Sequence, residues 1–188
     1  GIPWGDYQIG VAYILQNAGY DICGADMLYD DTVPHGGGLS SSAAIEVSTA
    51  LCFATLSNEK KGINKTPDMI EMAKLGQKAE HEYAGVNCGI MDQFASAMGK
   101  KDCAIILKCD DLSYEYAPIK LEGLKIVLSN TKKKHSLGAS KYNERRSQCE
   151  AGLEILKEAM PQKECLGDIS PKELENSKHL ITDPVVLN

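Results

Sequence analysis

Apolar residues recur at helical spacing in the first quarter of the chain. The spacing over residues 7–19, which end at a glycine, predicts an amphipathic helix. A second helix is predicted to begin at Ser40, because four apolar residues then follow at intervals of three and four. Its predicted core-facing residues are Ala44, Val47, Leu51 and Ala54.

Start and stop signals predict further helices. Thr66 is a candidate cap for a helix that runs to about Tyr83, because a proline and an acid follow it. A short helix is predicted over residues 90–98, which a glycine follows, and a longer one over residues 140–160. A serine and a proline at positions 170–171 mark the start of one more helix.

Runs rich in β-branched and aromatic residues predict the strands. A short strand is expected over residues 24–30, directly before a run of glycines. Three more are expected over residues 103–109, 113–119 and 124–130, which follow one another at hairpin spacing. Separate runs of helices and strands place the chain in the α+β class.

Composition narrows the functional classes. The chain has 188 residues, 43% of them apolar and 24% charged, as expected of a globular protein with a hydrophobic core. Its net charge of −6 and pI near 5.3 argue against a nucleic-acid partner. The sequence contains neither a run long enough to span a membrane nor a secretion signal, so we expect a cytoplasmic protein without a membrane partner. No protein partner is evident from the sequence. The seven cysteines are expected to be reduced and mostly buried.

The run "PHGGGLSSSAA", residues 34–44, leads directly into the second predicted helix. A helix N-terminus exposes unpaired N–H groups, and glycines let a phosphate approach them. A Walker A loop is excluded because no lysine lies between Gly36 and Ala50. The dinucleotide-binding fingerprint is excluded because Ser41 stands where its third glycine would be. Two interpretations remain: a flexible turn before an ordinary helix, or a phosphate loop in which a serine contacts magnesium.

Particular motifs resemble a known family. "GGGLSSSAA" resembles the second signature motif of the GHMP kinases, a superfamily of small-molecule kinases. Residues 80–110, which include "CGIMDQ", and residues 129–150 resemble the galactokinase family within it, and the likeness extends from about Trp4 to Pro184. It implies a GHMP-kinase-like fold, of the ribosomal protein S5 domain 2-like type. Residues 1–160 would form its core, and residues 161–188 the start of a second domain or a connecting helix.

The resemblance also implies an activity, which is ATP-dependent phosphorylation of galactose at its C1 hydroxyl with Mg²⁺ as cofactor. The expected partners are the small-molecule substrates galactose and ATP. Alternatives are an N-acetylgalactosamine kinase, a non-catalytic regulator that responds to sugar and ATP, and a structural domain with a fortuitous glycine run. The pair Ser42 and Ala43 favours a kinase over a regulator, because such regulators can lack it.

Site residues follow from the same resemblance. Asp92 is the expected general base and contacts the sugar, Ser42 and Glu80 are the expected magnesium ligands, and Tyr142 is an expected sugar contact. Each also has an ordinary structural explanation: helix capping for Ser42, a solvated helical acid for Glu80, a favourable helix-start charge for Asp92 and a half-buried aromatic for Tyr142. The residues expected to surround the ATP phosphates are Gly36, Gly37, Gly38, Leu39, Ser40, Ser41 and Ser42.

Two motifs of the family are not found in this sequence. One is an N-terminal motif of the type "GRVNLIGEHTDY", which carries most sugar contacts, and the other is a glycine-rich loop near the C-terminus. The chain is therefore expected to be a central fragment of a galactokinase. On its own it is expected to have little or no activity.

Overall fold

The computed structural model describes residues 5–130 and 138–187. These ranges contain α-helices and one antiparallel pair of strands, which confirms the predicted α+β class. The strands are β1, Cys103–Leu107, and β2, Tyr114–Pro118, with Cys103 opposite Pro118. The helices are α1 Asp6–Asn17, α2 Ser41–Lys60, α3 Met69–Ala79, α4 Met91–Met98, α5 Gly138–Lys157, α6 Pro171–Ser177 and α7 Pro184–Leu187.

Local signals explain where several helices begin. The predicted start at Ser170 is confirmed: its hydroxyl accepts the Glu173 N–H at 3.3 Å, and the Glu173 carboxylate accepts the Ser170 N–H at 2.8 Å. The predicted cap of α3 is wrong. Asp68, not Thr66, caps this helix by accepting the Ile70 N–H at 2.9 Å. Asp68 lies directly before the first helical residue, whereas Thr66 lies two residues further from the N–H groups that need an acceptor.

The buried face of α2 differs from the predicted one. Val47 and Ala54 are buried as expected, but Ala44 and Leu51 are only half-buried. The prediction counted apolar residues alone, and this rotated the expected face around the helix axis. The observed buried face also contains three polar residues, Glu46, Thr49 and Ser57.

Two predicted strands, over residues 24–30 and 124–130, are not found in the described part of the chain. Several of their apolar side chains are open to solvent, with 97% of Leu28 and 82% of Val127 exposed. A strand needs a neighbouring strand to pair its N–H and C=O groups. Among the described residues, β1 and β2 are the strands that pair in this way. Residue type alone was therefore not sufficient for the prediction.

Two compact units, Gly1–His135 and Ser136–Asn188, divide the chain. In the first unit, one apolar cluster joins α1, α2 and α3, and includes Val11, Ile14, Phe53 and Met72. A second cluster joins α3 and α4 to the β-hairpin through Phe94, whose ring lies 5.2 Å from that of Tyr114. The second unit packs around Leu156, Met160 and Ile181.

No helix within residues 5–130 or 138–187 has the length and apolar character needed to cross a membrane.

The expectation that the cysteines are mostly buried is wrong. Cys23, Cys88 and Cys103 are half-buried, and the other four are exposed.

Candidate active site

The glycine loop, residues 36–42, leads the chain into the N-terminus of α2. Gly36 and Gly38 have φ angles of +64° and +73°, which glycine adopts without the strain caused by a Cβ atom. Ser40 has a φ of +57° and occupies the N-cap position, but its side chain makes no capping hydrogen bond. The first N–H groups of α2 have no acceptor inside the helix. The loop therefore ends where partial positive charge is concentrated.

A cavity of about 590 Å³ lies beside the start of α2. Ser41 and Ser42 form part of its wall, together with Tyr7 and Gln8 from α1. The amide oxygen and nitrogen of Gln8 are both buried without a hydrogen-bond partner among the described residues. The cavity thus offers several hydroxyl groups and an amide to a polar ligand, and its wall also contains the acids Asp30 and Asp31.

A group of acidic residues lies close to this helix start, and we call Glu46, Glu80 and Asp92, with the adjoining Gln93, the acidic cluster. The Nε2 atom of Gln93 donates to Glu80 Oε2 at 2.6 Å and to Glu46 Oε2 at 2.9 Å. Gln93 and Glu46 are fully buried, and only 7% of Glu80 is exposed. A side-chain amide nitrogen has two hydrogens, so these two carboxylates take both. The cluster thereby links α2, α4 and the turn that follows α3.

Glu80 is the first residue of a π-helical turn, Glu80–Ala84, that directly follows α3. The wider turn ends at Gly85, whose φ is +71°. The Cys88 thiol donates to Glu80 Oε2 at 3.3 Å. Burial, followed by the charge and the hydrogen bond of Glu80, raises the pKa of Cys88 to about 12. Cys88 is therefore a hydrogen-bond donor to Glu80 and not a reactive thiolate.

Asp92 is the second residue of α4 and is half-buried. The segment before α4 is fixed at the Cys88 carbonyl, which accepts hydrogen bonds from His81 Nε2 at 2.8 Å and Gln77 Nε2 at 3.1 Å. After Asp92 come the buried residues Gln93 and Phe94, which anchor the helix start. The backbone that carries Asp92 is thus fixed, and the charge of Asp92 acts on Glu46.

Glu46 is a fully buried acid on α2. Burial, followed by the negative charges of Glu80 and Asp92, raises its pKa from 4.5 to about 8, although the hydrogen bond from Gln93 acts in the opposite direction. Its Oε1 atom has no hydrogen-bond partner among the described residues. Ser42 precedes Glu46 by four residues, so it lies on the same face of α2, about 6 Å along the helix axis.

Tyr7 connects the cavity with the acidic cluster. Its side chain lines the cavity with Ser42. Burial raises the pKa of Tyr7, and the charges of Glu80 and Glu46 raise it further. The cavity and the cluster are therefore neighbours. The structure brings Ser42, Glu80 and Asp92 into one region of the first unit.

Tyr142 belongs to the second unit, where it lies on α5 with 47% of its surface exposed. Its predicted contact with a sugar remains a prediction. The arginines that follow it make contacts along the same helix: Arg145 donates to Gln148 at 2.9 Å, and Arg146 donates to Glu150 at 2.6 Å. These contacts are typical of a solvated helix surface.

Three residues at the cluster were missed by sequence reasoning: Glu46, Gln93 and Gly76. A Cβ atom on Gly76 would lie 3.3 Å from Glu46 Cβ and 3.6 Å from Gln93 Cγ, so this glycine lets α3 approach the pair closely. Glu46 had no local signal, because an acid on an amphipathic helix is normally assigned to its solvated face. Gln93 directly follows Asp92 in "CGIMDQ", a motif already singled out.

The family follows from a comparison with known proteins. A family model described as the GHMP kinases N terminal domain matches residues 6–100, which contain the glycine loop and the whole acidic cluster. The chain belongs to the GHMP kinase family.

Individual relatives match more of the chain than the family model does. The galactokinases of Clostridium tetani and Clostridium acetobutylicum are 45% identical over 186 residues and 46% identical over 185 residues. Each alignment covers 98% of this chain and 46% of the relative. The crystal structure of Lactococcus lactis galactokinase complexed with galactose is similar with a TM-score of 0.82 at 32% identity, covering 98% of this chain and 46% of that one. The chain thus spans about half the length of the curated relatives it matches.

Proposed function

We propose that the parent protein of this chain is a galactokinase, which transfers the γ-phosphoryl group of ATP to the C1 hydroxyl of galactose. Identities of 45% and 46% to curated galactokinases support this substrate. The observation that carries the proposal is that Tyr7 lines the cavity at the start of α2 together with Ser42 and has its pKa raised by the charge of Glu80, while Glu46 on the same helix is affected by Glu80 and Asp92. Phosphoryl transfer needs a phosphate site, oxygen ligands for a divalent cation and a proton acceptor, and this region contains candidates for all three.

The glycine loop is our proposed site for the ATP phosphates. Cβ positions on Gly36 and Gly38 would have no neighbouring atom within 4 Å, so the described structure leaves open space around the backbone there. The N–H groups at the start of α2 would donate to phosphate oxygens, and the helix dipole favours negative charge at the same place. Gly37, Leu39 and the serines complete the loop.

Ser42 and Glu80 are our proposed magnesium ligands. Both offer oxygen donors, which Mg²⁺ prefers. No group of three or more His, Cys, Asp or Glu residues in the described ranges forms a metal site of its own, so phosphates and waters would complete the coordination, as is usual for this ion. Two buried oxygens in the cluster, Oε1 of Glu46 and Oε1 of Gln93, have no protein partner among the described residues and suit buried waters. The residues present therefore fit a hydrated magnesium ion. When bound, the ion neutralises charge on the transferred phosphoryl group.

Asp92 is our proposed general base. As the galactose C1 oxygen forms its bond to the γ-phosphorus, the bond from phosphorus to the ADP oxygen breaks and the hydroxyl proton passes to the Asp92 carboxylate. The fixed start of α4 would hold that carboxylate in place, which matters because transfer depends on close alignment. Tyr142 is proposed to contact the sugar.

We also propose that residues 161–188 start a second domain or form a connecting helix, although the compact units themselves divide earlier, between His135 and Ser136. A cytoplasmic location is proposed because the reaction consumes ATP, which the cytoplasm supplies.

The test is ADP release by the complete parent protein with ATP, Mg²⁺ and a panel of sugars, with the sugar-free reaction as control. We expect fastest turnover with galactose. Faster turnover with N-acetylgalactosamine would assign the protein to that kinase class instead. Calorimetric binding of ATP and galactose without any turnover would indicate a regulator. Absence of both binding and turnover would refute the proposal.

A further inference from the structure

Gln93 contacts both buried carboxylates of the acidic cluster. Its Nε2 atom lies 2.6 Å from Glu80 Oε2 and 2.9 Å from Glu46 Oε2. Both hydrogens of this amide are used in these two contacts. The orientation of the Gln93 amide is therefore set by two acceptors that lie on different elements of the fold.

Packing restricts the same side chain further. Gln93 is fully buried, and the Gly76 backbone of α3 lies close to its Cγ atom. Glu46 is also fully buried, with its Cβ atom against Gly76. Rotation of either side chain would leave a buried polar group without its partner, which is costly. Glu46 and Gln93 thus form a rigid pair between α2 and α4.

Within this pair, Gln93 contacts Glu80, and it does so at one oxygen atom, Oε2. Oε2 accepts from Gln93 and from the Cys88 thiol, and these two donors fix the plane of the carboxylate. Once that plane is fixed, the direction in which the carboxylate presents its remaining lone pairs is fixed as well. A metal ligand held in this way needs no reorganisation when the ion arrives.

We propose that Gln93, anchored by Glu46, is a positioning residue that holds the Glu80 carboxylate in the orientation required for magnesium. This inference rests on the proposed function, since it takes Glu80 to be a magnesium ligand. Neither Gln93 nor Glu46 contacts the ion in this proposal; both act through Glu80. Burying two acids and an amide costs free energy. A role in orienting a functional group accounts for this cost.

The test measures how much magnesium strengthens the binding of a non-hydrolysable ATP analogue to the complete protein. Calorimetry gives the dissociation constant of the analogue with Mg²⁺ and with EDTA, and their ratio is the magnesium enhancement. Gln93→Met keeps the size of the side chain but removes both donors. We expect it to reduce the enhancement about 10- to 100-fold, the usual effect of losing such a supporting contact, with the EDTA value unchanged.

A pair of substitutions at Glu46 tests the anchor independently of whether Gln93→Met folds well. Glu46→Gln retains an acceptor for the Gln93 amide and should keep the enhancement within about twofold, whereas Glu46→Leu removes the acceptor and should reduce it. Ser57→Ala is the matched control, because Ser57 is another buried polar residue of α2 and its hydroxyl accepts the Asp21 N–H at 2.8 Å, with no hydrogen bond to Glu80 or Cys88 among the described residues. It should lower thermal stability without changing the enhancement.

Glu80→Gln distinguishes a failure of the proposed magnesium site from a failure of the positioning role. If this substitution leaves the enhancement intact, Glu80 is not a magnesium ligand, and the proposed site and this inference both fail. If Glu80→Gln abolishes the enhancement while Gln93→Met and Glu46→Leu only lower the unfolding temperature, the site stands and the positioning role is overturned. An equal loss in Glu46→Gln and Glu46→Leu, or a loss in Ser57→Ala as large as in Gln93→Met, would also overturn it.

Discussion

The glycine loop and the acidic cluster lie in the same region but are built in opposite ways. The loop is one continuous segment of exposed and half-buried residues, whose distinctive features are its backbone N–H groups and positive φ angles. The cluster consists of buried side chains brought together from α2, the π-helical turn and α4, with up to 47 residues between hydrogen-bonded partners. In our proposal, the loop binds the phosphates through its backbone. The cluster is suited to fix a small number of oxygen atoms for the chemical step.

The largest expected effect separates chemistry from binding. Asp92→Asn removes the proposed proton acceptor but leaves the loop intact, so kcat should fall by roughly 10²- to 10⁴-fold. The affinity for ATP should stay within a few-fold of the wild-type value. Steady-state kinetics and calorimetry on the complete protein measure the two quantities. A parallel loss of ATP affinity would mean that the two regions do not have separate roles.

A pH effect is the next largest. The pKa of Glu46 is about 8 in the folded protein against 4.5 for a free glutamate. Below pH 4.5 the group is protonated in both states. As the pH rises from 4.5 toward 8, the unfolded chain loses this proton while the folded protein retains it. The unfolding free energy therefore decreases by roughly 1.4 kcal/mol for each pH unit in this range. Above pH 8 the full penalty applies.

Glu46→Gln should remove this contribution. Urea unfolding at pH 5 and pH 8 should show a smaller loss of unfolding free energy in the variant than in the wild type. The remaining titrating groups are common to both proteins, so the difference isolates Glu46. Identical slopes in both proteins would contradict the buried, raised-pKa description of this residue.

Gly76→Ala tests the close packing of the cluster. The added methyl group would lie 3.3 Å from Glu46 Cβ, and overpacking of this kind typically costs about 1–3 kcal/mol. Gly24→Ala is the control, because its Cβ position has no atom within 4 Å and its φ is not positive. Urea unfolding provides the measurement. Equal stabilities for the two variants would show that Gly76 is not a packing constraint.

Gly38→Ala tests the loop by the opposite mechanism. No atom lies within 4 Å of its Cβ position, so the expected cost of about 1 kcal/mol comes from the φ of +73° alone. Because the strain changes the loop conformation, the binding free energy of ATP should weaken by more than the unfolding free energy decreases. If Gly38→Ala leaves both quantities unchanged, the positive φ is not required for binding.

The difference in construction also explains what the sequence could predict. Glycines and serines directly before a helix restrict the backbone to few conformations, so the loop and the start of α2 were predictable from residue type. The capping residues Ser170 and Pro171 were equally local signals. Family resemblance added Glu80 and Asp92, which have no distinctive local pattern.

The remaining features depend on contacts between distant segments. Glu46 was hidden because an acid on an amphipathic helix is normally assigned to its solvated face, and only packing against Gly76 and Gln93 reveals that it is buried. The segments at residues 24–30 and 124–130 have strand-like residue types, but no paired neighbour among the described residues. In both cases the deciding partner lies far away in the sequence.

The most direct test of a single ATP and magnesium site is a crystal structure of the complete protein with Mg²⁺, a non-hydrolysable ATP analogue and galactose. We predict Mg²⁺ within about 2.1 Å of Ser42 Oγ and a Glu80 carboxylate oxygen, with phosphates against the glycine loop. Asp92 should lie within hydrogen-bond distance of the galactose C1 hydroxyl. A metal bound without either residue, or phosphates bound away from the loop, would contradict the proposed site.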